Sequence, residues 1–387
     1  MSRKKILWLC SWYPAKTDPY NGDFIQRHAR AAALYNDIYI IHVAGDETGN
    51  TKKPEEGKYQ SEGLTEHIIY YQKSTSFFGR LLSHFRWLRL FKAAINNYIG
   101  NNGIPDVVHV HVPVKAGLFA LWFKRKYKVP FVVTEHWGIY NDVEIHNYQG
   151  KSAAFRQLTR RVFEKADVFL SVSQFLAEGV NKLVVEKKYE IIPNVTDTSV
   201  FYYKDRKNVV FRFIHVSNMV PLKNAEGILM AFRLLLQQIT NVELVMVGDT
   251  NTSIRNFAKE LGLTGSQVLF RGEIPYYEVA REIQEADCLV LFSNIENSPC
   301  VIGEALCCGL PVIATKVGGI PELVNEENSI LIEPKDEKAL VAAMQQMITR
   351  FSEFKHKKIA EKAQSRFSYP VAGKKFNEIY SLLAARN

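Results

Sequence analysis

Cysteine is scarce in this chain: five in 387 residues, at Cys10, Cys288, Cys300, Cys307 and Cys308. No C-x-x-C pair occurs, and the adjacent Cys307 and Cys308 would be hard to bridge. A disulfide framework or a cysteine zinc site is therefore not expected, and all five read as buried, reduced thiols of a cytoplasmic protein. Long apolar runs are also missing; none approaches the roughly 18 residues that span a bilayer. The opening MSRKKILWLC starts basic, but its apolar run stops at Cys10, too short for a signal peptide. Trp8 and Leu9 are too bulky for a lipoprotein cleavage site, so Lys4–Cys10 reads as a first strand. No G-x-G-x-x-G follows a strand, which disfavours a dinucleotide oxidoreductase, and no G-x-x-x-x-G-K-[ST] occurs, which excludes a P-loop ATPase. A D-x-D at a strand end, the usual grip on a metal–diphosphate, is absent as well.

What is present is an ordinary globular composition, 47% apolar and 23% charged, and enough length for two domains. Strand-like and helix-like segments alternate throughout, the pattern of parallel α/β sheets. The first half predicts strands at Lys4–Cys10, Asp37–Val43, His67–Tyr71, Val107–Val112, Phe131–His136, Val168–Ser173 and Glu190–Pro193. The second predicts Phe211–Ser217, Glu243–Gly248, Val268–Arg271, Cys288–Ser293, Pro311–Thr315 and Ile330–Ile332. The polar stretch Thr196–Asn208 reads as the linker.

Charge is uneven. Residues 1–200 hold 27 Lys and Arg against 19 Asp and Glu, a net of +8 out of the total +9. Candidate basic patches are Arg80–Lys92, Lys124–Lys128 and Arg156–Lys165. No nucleic-acid motif accompanies them, so nucleic acid is not an expected partner. In Phe77–Ile95, the residues Phe78, Leu81, Leu82, Phe85, Leu88 and Ile95 recur at helical spacing, while Arg80, Arg86, Arg89 and Lys92 take other faces and Trp87 joins the arginines. Such a basic amphipathic helix suits an anionic membrane surface. A core-packed helix with a solvated charged face is the plainer alternative.

The densest information lies in Glu296–Val324, ENSPCVIGEALCCGLPVIATKVGGIPELV. An apolar run, Cys288–Ser293, reads as a strand ending near Glu296. Ser298 and Pro299 read as N-cap and first residue of a helix through Cys308, stopped by Gly309. Glu304 falls about a turn and a half into that helix, on a face near the same mouth. Helix N-termini attract anions, and two carboxylates beside an anion site suggest acceptors for sugar or ribose hydroxyls. Alone, such a pair would read as a capping acid plus a surface glutamate.

The segment resembles the signature of the retaining glycosyltransferases of family 4, which have the GT-B fold. The match runs over Glu296 to Glu304, Gly309 to Thr315 and Gly318 to Glu322, with HVSNMVPLKN (215–224), IIPNVTD (191–197), VGD (247–249) and RGEIP (271–275) in the expected order. The resemblance implies two doubly wound, Rossmann-like domains facing each other across a cleft. These are an acceptor-binding domain over 1–196 and a nucleotide-sugar domain over 209–368, with the helical segment 369–387 crossing back to the first. It implies that Glu304 binds ribose hydroxyls, Lys223 the diphosphate and Glu296 the donor sugar, with Asn297, Ser298 and Val301 alongside. Family members carry Arg-x4-Lys in the phosphate loop, whereas this chain has Asn218 before Lys223, one fixed positive charge fewer. The glycine of the loop before the first helix corresponds to Gly22, where backbone N–H groups approach a phosphate. His136, in T-E-H-W-G, corresponds to a histidine beside the donor sugar. His109 and His111 lie on one face of their strand and read as structural. No third ligand at suitable spacing completes a zinc site.

The expected activity is therefore metal-independent transfer of a sugar from a nucleotide donor to a saccharide or lipid-linked acceptor, in cell-surface polysaccharide assembly. It would take place in the cytoplasm or on the inner face of the membrane. A GT-B nucleotide-sugar epimerase and a catalytically inert sugar-nucleotide-binding protein are the alternatives. Asn218 favours the second, and the retained Glu296 and Glu304 oppose it.

Overall fold

The computed structural model describes residues 3–74, 76–141, 143, 147–206, 209–250, 252–263 and 265–385. The chain forms two compact units, one of Met1–Pro193 with Tyr369–Asn387, the other of Asn194–Ser368.

The strands of the first unit are β1 (Lys5–Cys10), β2 (Asp37–Asp46), β3 (Glu55–Ser61), β4 (Leu64–Gln72), β5 (Val107–His111), β6 (Phe131–Glu135), β7 (Val168–Ser171) and β8 (Tyr189–Ile191). Its helices are α1 (Asp23–Ala33), α2 (Phe77–Asn102), α3 (Gly117–Tyr127), α4 (Ala153–Lys165) and α5 (Gln174–Leu183). The sheet order is β3-β4-β2-β1-β5-β6-β7-β8. The central strands β1, β5 and β6 are buried along nearly their whole length, as parallel pairing between covering helices requires, although β5 carries His109 and His111 and β6 ends in Thr134 and Glu135. β3 (EEGKYQS) escaped the sequence reading. It is a polar, exposed edge strand, antiparallel to β4, without the alternation that betrays a half-buried strand.

α2 corrects a second expectation. Its core stripe is Trp87, Phe91, Ala94, Ile95 and Tyr98, all buried, and the Trp87 indole N–H donates to the Val43 carbonyl at 3.2 Å. Trp87 therefore faces away from the exposed arginines. Phe78, Leu81, Leu82 and Phe85, in the first turns, are 58–78% exposed. The helix holds two apolar stripes at helical spacing, and only the second meets the core.

The second unit contains β9 (Phe211–Val216), β10 (Val242–Val247), β11 (Val268–Gly272), β12 (Cys288–Leu291), β13 (Val312–Thr315) and β14 (Ser329–Ile332). Around them lie α6 (Ala225–Leu236), α7 (Ser253–Glu260), α8 (Tyr276–Glu285), α9 (Cys300–Cys307), α10 (Glu337–Arg350) and α11 (His356–Phe367). Every pairing is parallel, in the order β11-β10-β9-β12-β13-β14. The stretch read as a linker is anchored over its first half, since Thr196 is buried and Phe201 is fully enclosed in this unit's core. Positions 207 and 208 lie outside the described residues.

The last helix, α12 (Tyr369–Ala384), groups with the first unit. It packs on α1 through Gly373, where a Cβ would fall 2.2 Å from the Ala31 carbonyl oxygen. Its Tyr380 hydroxyl lies 2.6 Å from His109 Nδ1. Four cysteines are buried as expected; Cys300 is only partly so.

Candidate active site

In an open parallel sheet, ligands gather beyond the carboxyl ends of the strands where the strand order reverses. In the second unit that point lies between β9 and β12. Beyond β9 the chain runs through Ser217–Val220 into a short 3-10 turn, Pro221–Lys223. Asn224 then caps α6, its side chain accepting from Gly227 N at 3.2 Å. This loop is held from below by His215. Its Nδ1 lies 2.9 Å from the Val290 carbonyl, which only accepts, so Nδ1 carries the proton. Nε2 then accepts from the Ser217 hydroxyl at 2.7 Å, and that oxygen accepts from Met219 N at 3.0 Å. Burial lowers the His215 pKa to about 4 and keeps the imidazole neutral.

Beyond β12 the chain passes Ser293, Asn294 and Glu296 before entering α9. Glu296 is buried and lies five residues past the strand rather than at its end. Its Oε1 accepts from Lys223 Nζ at 2.6 Å and from the Ser293 hydroxyl at 2.8 Å. The two loops are also joined by backbone, with Asn294 N donating to the Leu222 carbonyl at 2.8 Å. The glycine pair after β13 is the third wall. Gly319 N donates to the Glu296 carbonyl at 3.0 Å. Gly318 has φ +53°, and a Cβ there would fall 1.9 Å from that same carbonyl oxygen. Only glycine lets the backbone approach this closely in that conformation.

α9 begins one residue later than the sequence suggests: Pro299 is its N-cap and Cys300 its first residue. Ser298 instead precedes the cap and is buried, its carbonyl accepting from Asn194 Nδ2 at 2.7 Å. Val301 and Glu304 are buried in the helix, and Asn297 is partly exposed in the loop before it. Asn218 is exposed, and among the described residues its side chain has no hydrogen-bond partner. The structure thus unites Lys223 and Glu296, far apart in sequence. It adds Ser293, His215 and Ser217, none of which sequence reasoning singled out. His215 and Ser217 lie inside the string 215–224 without standing out in it, and the parallel pairing of β9 with β12 brings them beside Ser293.

Gly22 and His136 belong to the first unit. Gly22 has φ +73° at the start of α1, and a Cβ would meet the Trp12 and Tyr13 backbone at 2.9 Å, so packing alone demands glycine there. His136 follows β6, is buried, and its Nε2 lies 3.1 Å from His111 Nδ1. Its ring packs against Phe24 and His28, and burial, with the neighbouring His28 and His109, holds its pKa well below the ordinary value. Glu135, just before it, was overlooked. It is fully buried and accepts from His136 N, Trp137 N and the Tyr140 hydroxyl at 2.8–2.9 Å, while burial raises its pKa to about 7.

An ammonium group with three donors, a buried carboxylate and two helix N-termini form one site in the second unit. That combination can hold an anion and neighbouring hydroxyls. Among the described residues no group of three or more His, Cys, Asp or Glu is placed to hold a metal ion.

Two models of known families match the chain. A family model described as glycosyl transferases group 1 matches residues 204–366, and one described as glycosyltransferase family 4 matches residues 20–200. The chain belongs to the family 4 glycosyltransferases. Among relatives of the enzyme, the putative teichuronic acid biosynthesis glycosyltransferase TuaC of Bacillus subtilis is 27% identical over 371 residues, 90% of this chain and 89% of that one. The N-acetyl-alpha-D-glucosaminyl L-malate synthase of Bacillus anthracis is 28% identical, over 57% of this chain and 58% of that protein's length. The structure of Anabaena HepE in complex with UDP superposes with a TM-score of 0.73 at 19% identity, covering 98% of this chain and 100% of that one. That likeness establishes the GT-B architecture of the glycosyltransferase.

Proposed function

We propose that the enzyme transfers a sugar, with retention, from a nucleoside-diphosphate donor bound by the second unit to a saccharide or lipid-linked acceptor bound by the first. The observation that carries this reading is the Lys223–Glu296 contact at the switch point between β9 and β12. Lys223 has hydrogen-bonding capacity left for a diphosphate gathered at the start of α6. Glu296 orients that lysine and accepts from hydroxyls of the transferred sugar, acting by position and charge rather than as a covalent nucleophile. Glu304 accepts from the ribose, with Asn297, Ser298 and Val301 around the nucleotide. Gly22 and His136 serve the same reaction from the first unit. Asn218 replaces an ionic contact with a neutral one.

The name of the Bacillus subtilis relative supports a role in cell-surface polysaccharide assembly, and the UDP in Anabaena HepE supports a uridine donor. No helix among the described residues is long and apolar enough to cross a membrane. The exposed Phe78, Leu81, Leu82 and Phe85, flanked by exposed Arg80, Arg86 and Arg89, support seating of the first unit on an anionic bilayer from the cytoplasmic side. Each basic residue near such a surface contributes about 1 kcal/mol, weakened by salt.

Thermal unfolding with UDP, GDP and their sugar conjugates tests the donor reading. At about a hundred times its dissociation constant, the right nucleotide stabilises the fold by about 2.7 kcal/mol, with or without a chelator. Stabilisation abolished by the chelator contradicts the metal-free reading. Co-sedimentation tests the surface: binding to anionic but not neutral liposomes at low salt, lost in R86E/R89E, is expected, and binding indifferent to those changes refutes it.

A further inference from the structure

The first unit has its own switch point, between β1 and β5, and a cavity of about 410 Å3 opens at the carboxyl ends of β1, β2 and β4 beside it. That size falls within the range of about 300–1,000 Å3 typical of small-ligand pockets. Trp87 and Tyr71 give it an apolar wall, and His42, Lys73, Lys115 and Asn21 bring polar groups to it.

Three features point to what it holds. The first is an uncompensated cation. Lys73 is paired with Glu47 at 2.5 Å, but among the described residues no carboxylate pairs with Lys115. Lys115 stands at the cavity mouth with part of its side chain in solvent; its ammonium lies 5.8 Å from the Trp87 ring centroid, and partial desolvation, helped by the like charge of Lys73, lowers its pKa. The acids of the cavity do not answer it. Asp46 is occupied by Thr48 N at 2.8 Å, the Thr48 hydroxyl at 2.6 Å and Thr51 N at 2.6 Å, and Asp18 is exposed to water at the mouth.

The second is a fixed acceptor. His42 Nδ1 lies 3.0 Å from the Cys10 carbonyl, which only accepts, so the proton is on Nδ1 and the lone pair on Nε2. Burial holds the His42 pKa at about 4, so the ring stays neutral, and among the described residues Nε2 has no partner. The third is backbone strain. Val112 and Lys115 both have positive φ, +56° and +68°, in the loop that carries Lys115. For a β-branched residue this is a costly conformation, and such strain gathers at functional sites. The Ser11 hydroxyl, 2.8 Å from the Val112 carbonyl and 2.5 Å from that of Val114, pins the loop.

We infer that this cavity is the acceptor subsite and that it takes a hydroxylated sugar ring bearing an anionic group, with Lys115 on the anion and His42 Nε2 on a hydroxyl. The inference rests on the reading that the first unit binds the acceptor. The anion is a carboxylate, as in a uronic acid, or a phosphate ester.

The test is ligand-detected NMR titration of the full chain with D-glucuronate, D-glucose 6-phosphate, D-glucose and UDP. At least one anionic sugar is expected to bind about tenfold more tightly than glucose, the scale of one charge-assisted hydrogen bond. Preference for glucuronate identifies a carboxylate, and preference for the phosphate ester a phosphate. K115M should bring the anionic sugar down to the level of glucose, while K115R keeps most of its affinity. H42F should weaken all three sugars alike. Unchanged hydrogen-exchange protection of β1, β2 and β5 shows that the first unit of each variant is folded, and an unchanged dissociation constant for UDP shows the same of the second. Equal affinity for glucose and both anionic sugars, or an anionic preference that survives K115M, overturns the inference while leaving the donor site intact. Anionic-sugar binding without UDP binding upholds it and defeats the donor reading instead.

Discussion

The two units share an architecture but solve the problem of buried polar groups in opposite ways. The second joins a carboxylate and an ammonium across two loops, Glu296 and Lys223, and seats them against a glycine pair. The first buries imidazoles: His28, His42, His109, His111 and His136 all have pKa values lowered chiefly by desolvation. Three of these rings follow one another, with ring centroids 4.2 Å apart for the tilted His109–His111 pair and 5.4 Å for the stacked His111–His136 pair. The difference separates a fixed ion pair at the donor site from a neutral imidazole framework, which needs hydrogen bonds without charge.

The largest expected consequence is acid lability confined to the first unit. A histidine whose folded pKa is depressed contributes its full stability above the unfolded pKa of about 6.5, and that stability is lost as pH falls. Each such group costs about 2 kcal/mol at pH 5. Glu135, raised to about 7, works with the opposite sign and becomes more favourable as pH falls from 7 towards 4.5, offsetting about one histidine. Among the described residues of the second unit only His215 is fully buried in this way, with half-buried His356 shifted in the same direction. Hydrogen exchange at pH 5 should therefore show β1, β5 and β6 losing protection before β9 and β12. Loss in the reverse order would break the contrast.

Next in size is Glu296→Gln. Loss of a preorganised charge at a reacting centre costs about a hundredfold in turnover. The donor KM should change little, and steady-state kinetics separates the two. Glu304→Gln should do the reverse, raising the donor KM about tenfold with kcat nearly constant, because ribose contacts act alike in ground and transition states. Equal, small effects of both substitutions would remove the division of labour within the second unit.

The same contrast explains what could be read from the sequence. The charged site of the second unit is written in short contiguous strings, 215–224 and 296–324, so Lys223, Glu296 and Glu304 stood out without a structure. The turn register did not: one residue separates Ser298 from the true cap, because Pro299 itself takes the extended conformation there. The imidazole framework of the first unit draws on β5, β6, α1 and α12, and no local pattern marks His28 or Tyr380. β3 lacked alternation because an edge strand in water has no buried face. Trp87 was misassigned because α2 carries two apolar stripes, and only tertiary packing decides between them.

The central claim is that Lys223, held by Glu296, grips the diphosphate of the donor. Calorimetric titration of UDP into the wild type and Lys223→Met tests it most directly, since charge-assisted hydrogen bonds contribute about 1.5–3 kcal/mol. A dissociation constant raised at least about tenfold in the variant is predicted, with a smaller loss for uridine, which has no phosphate. Equal UDP affinity in the two proteins would contradict the account.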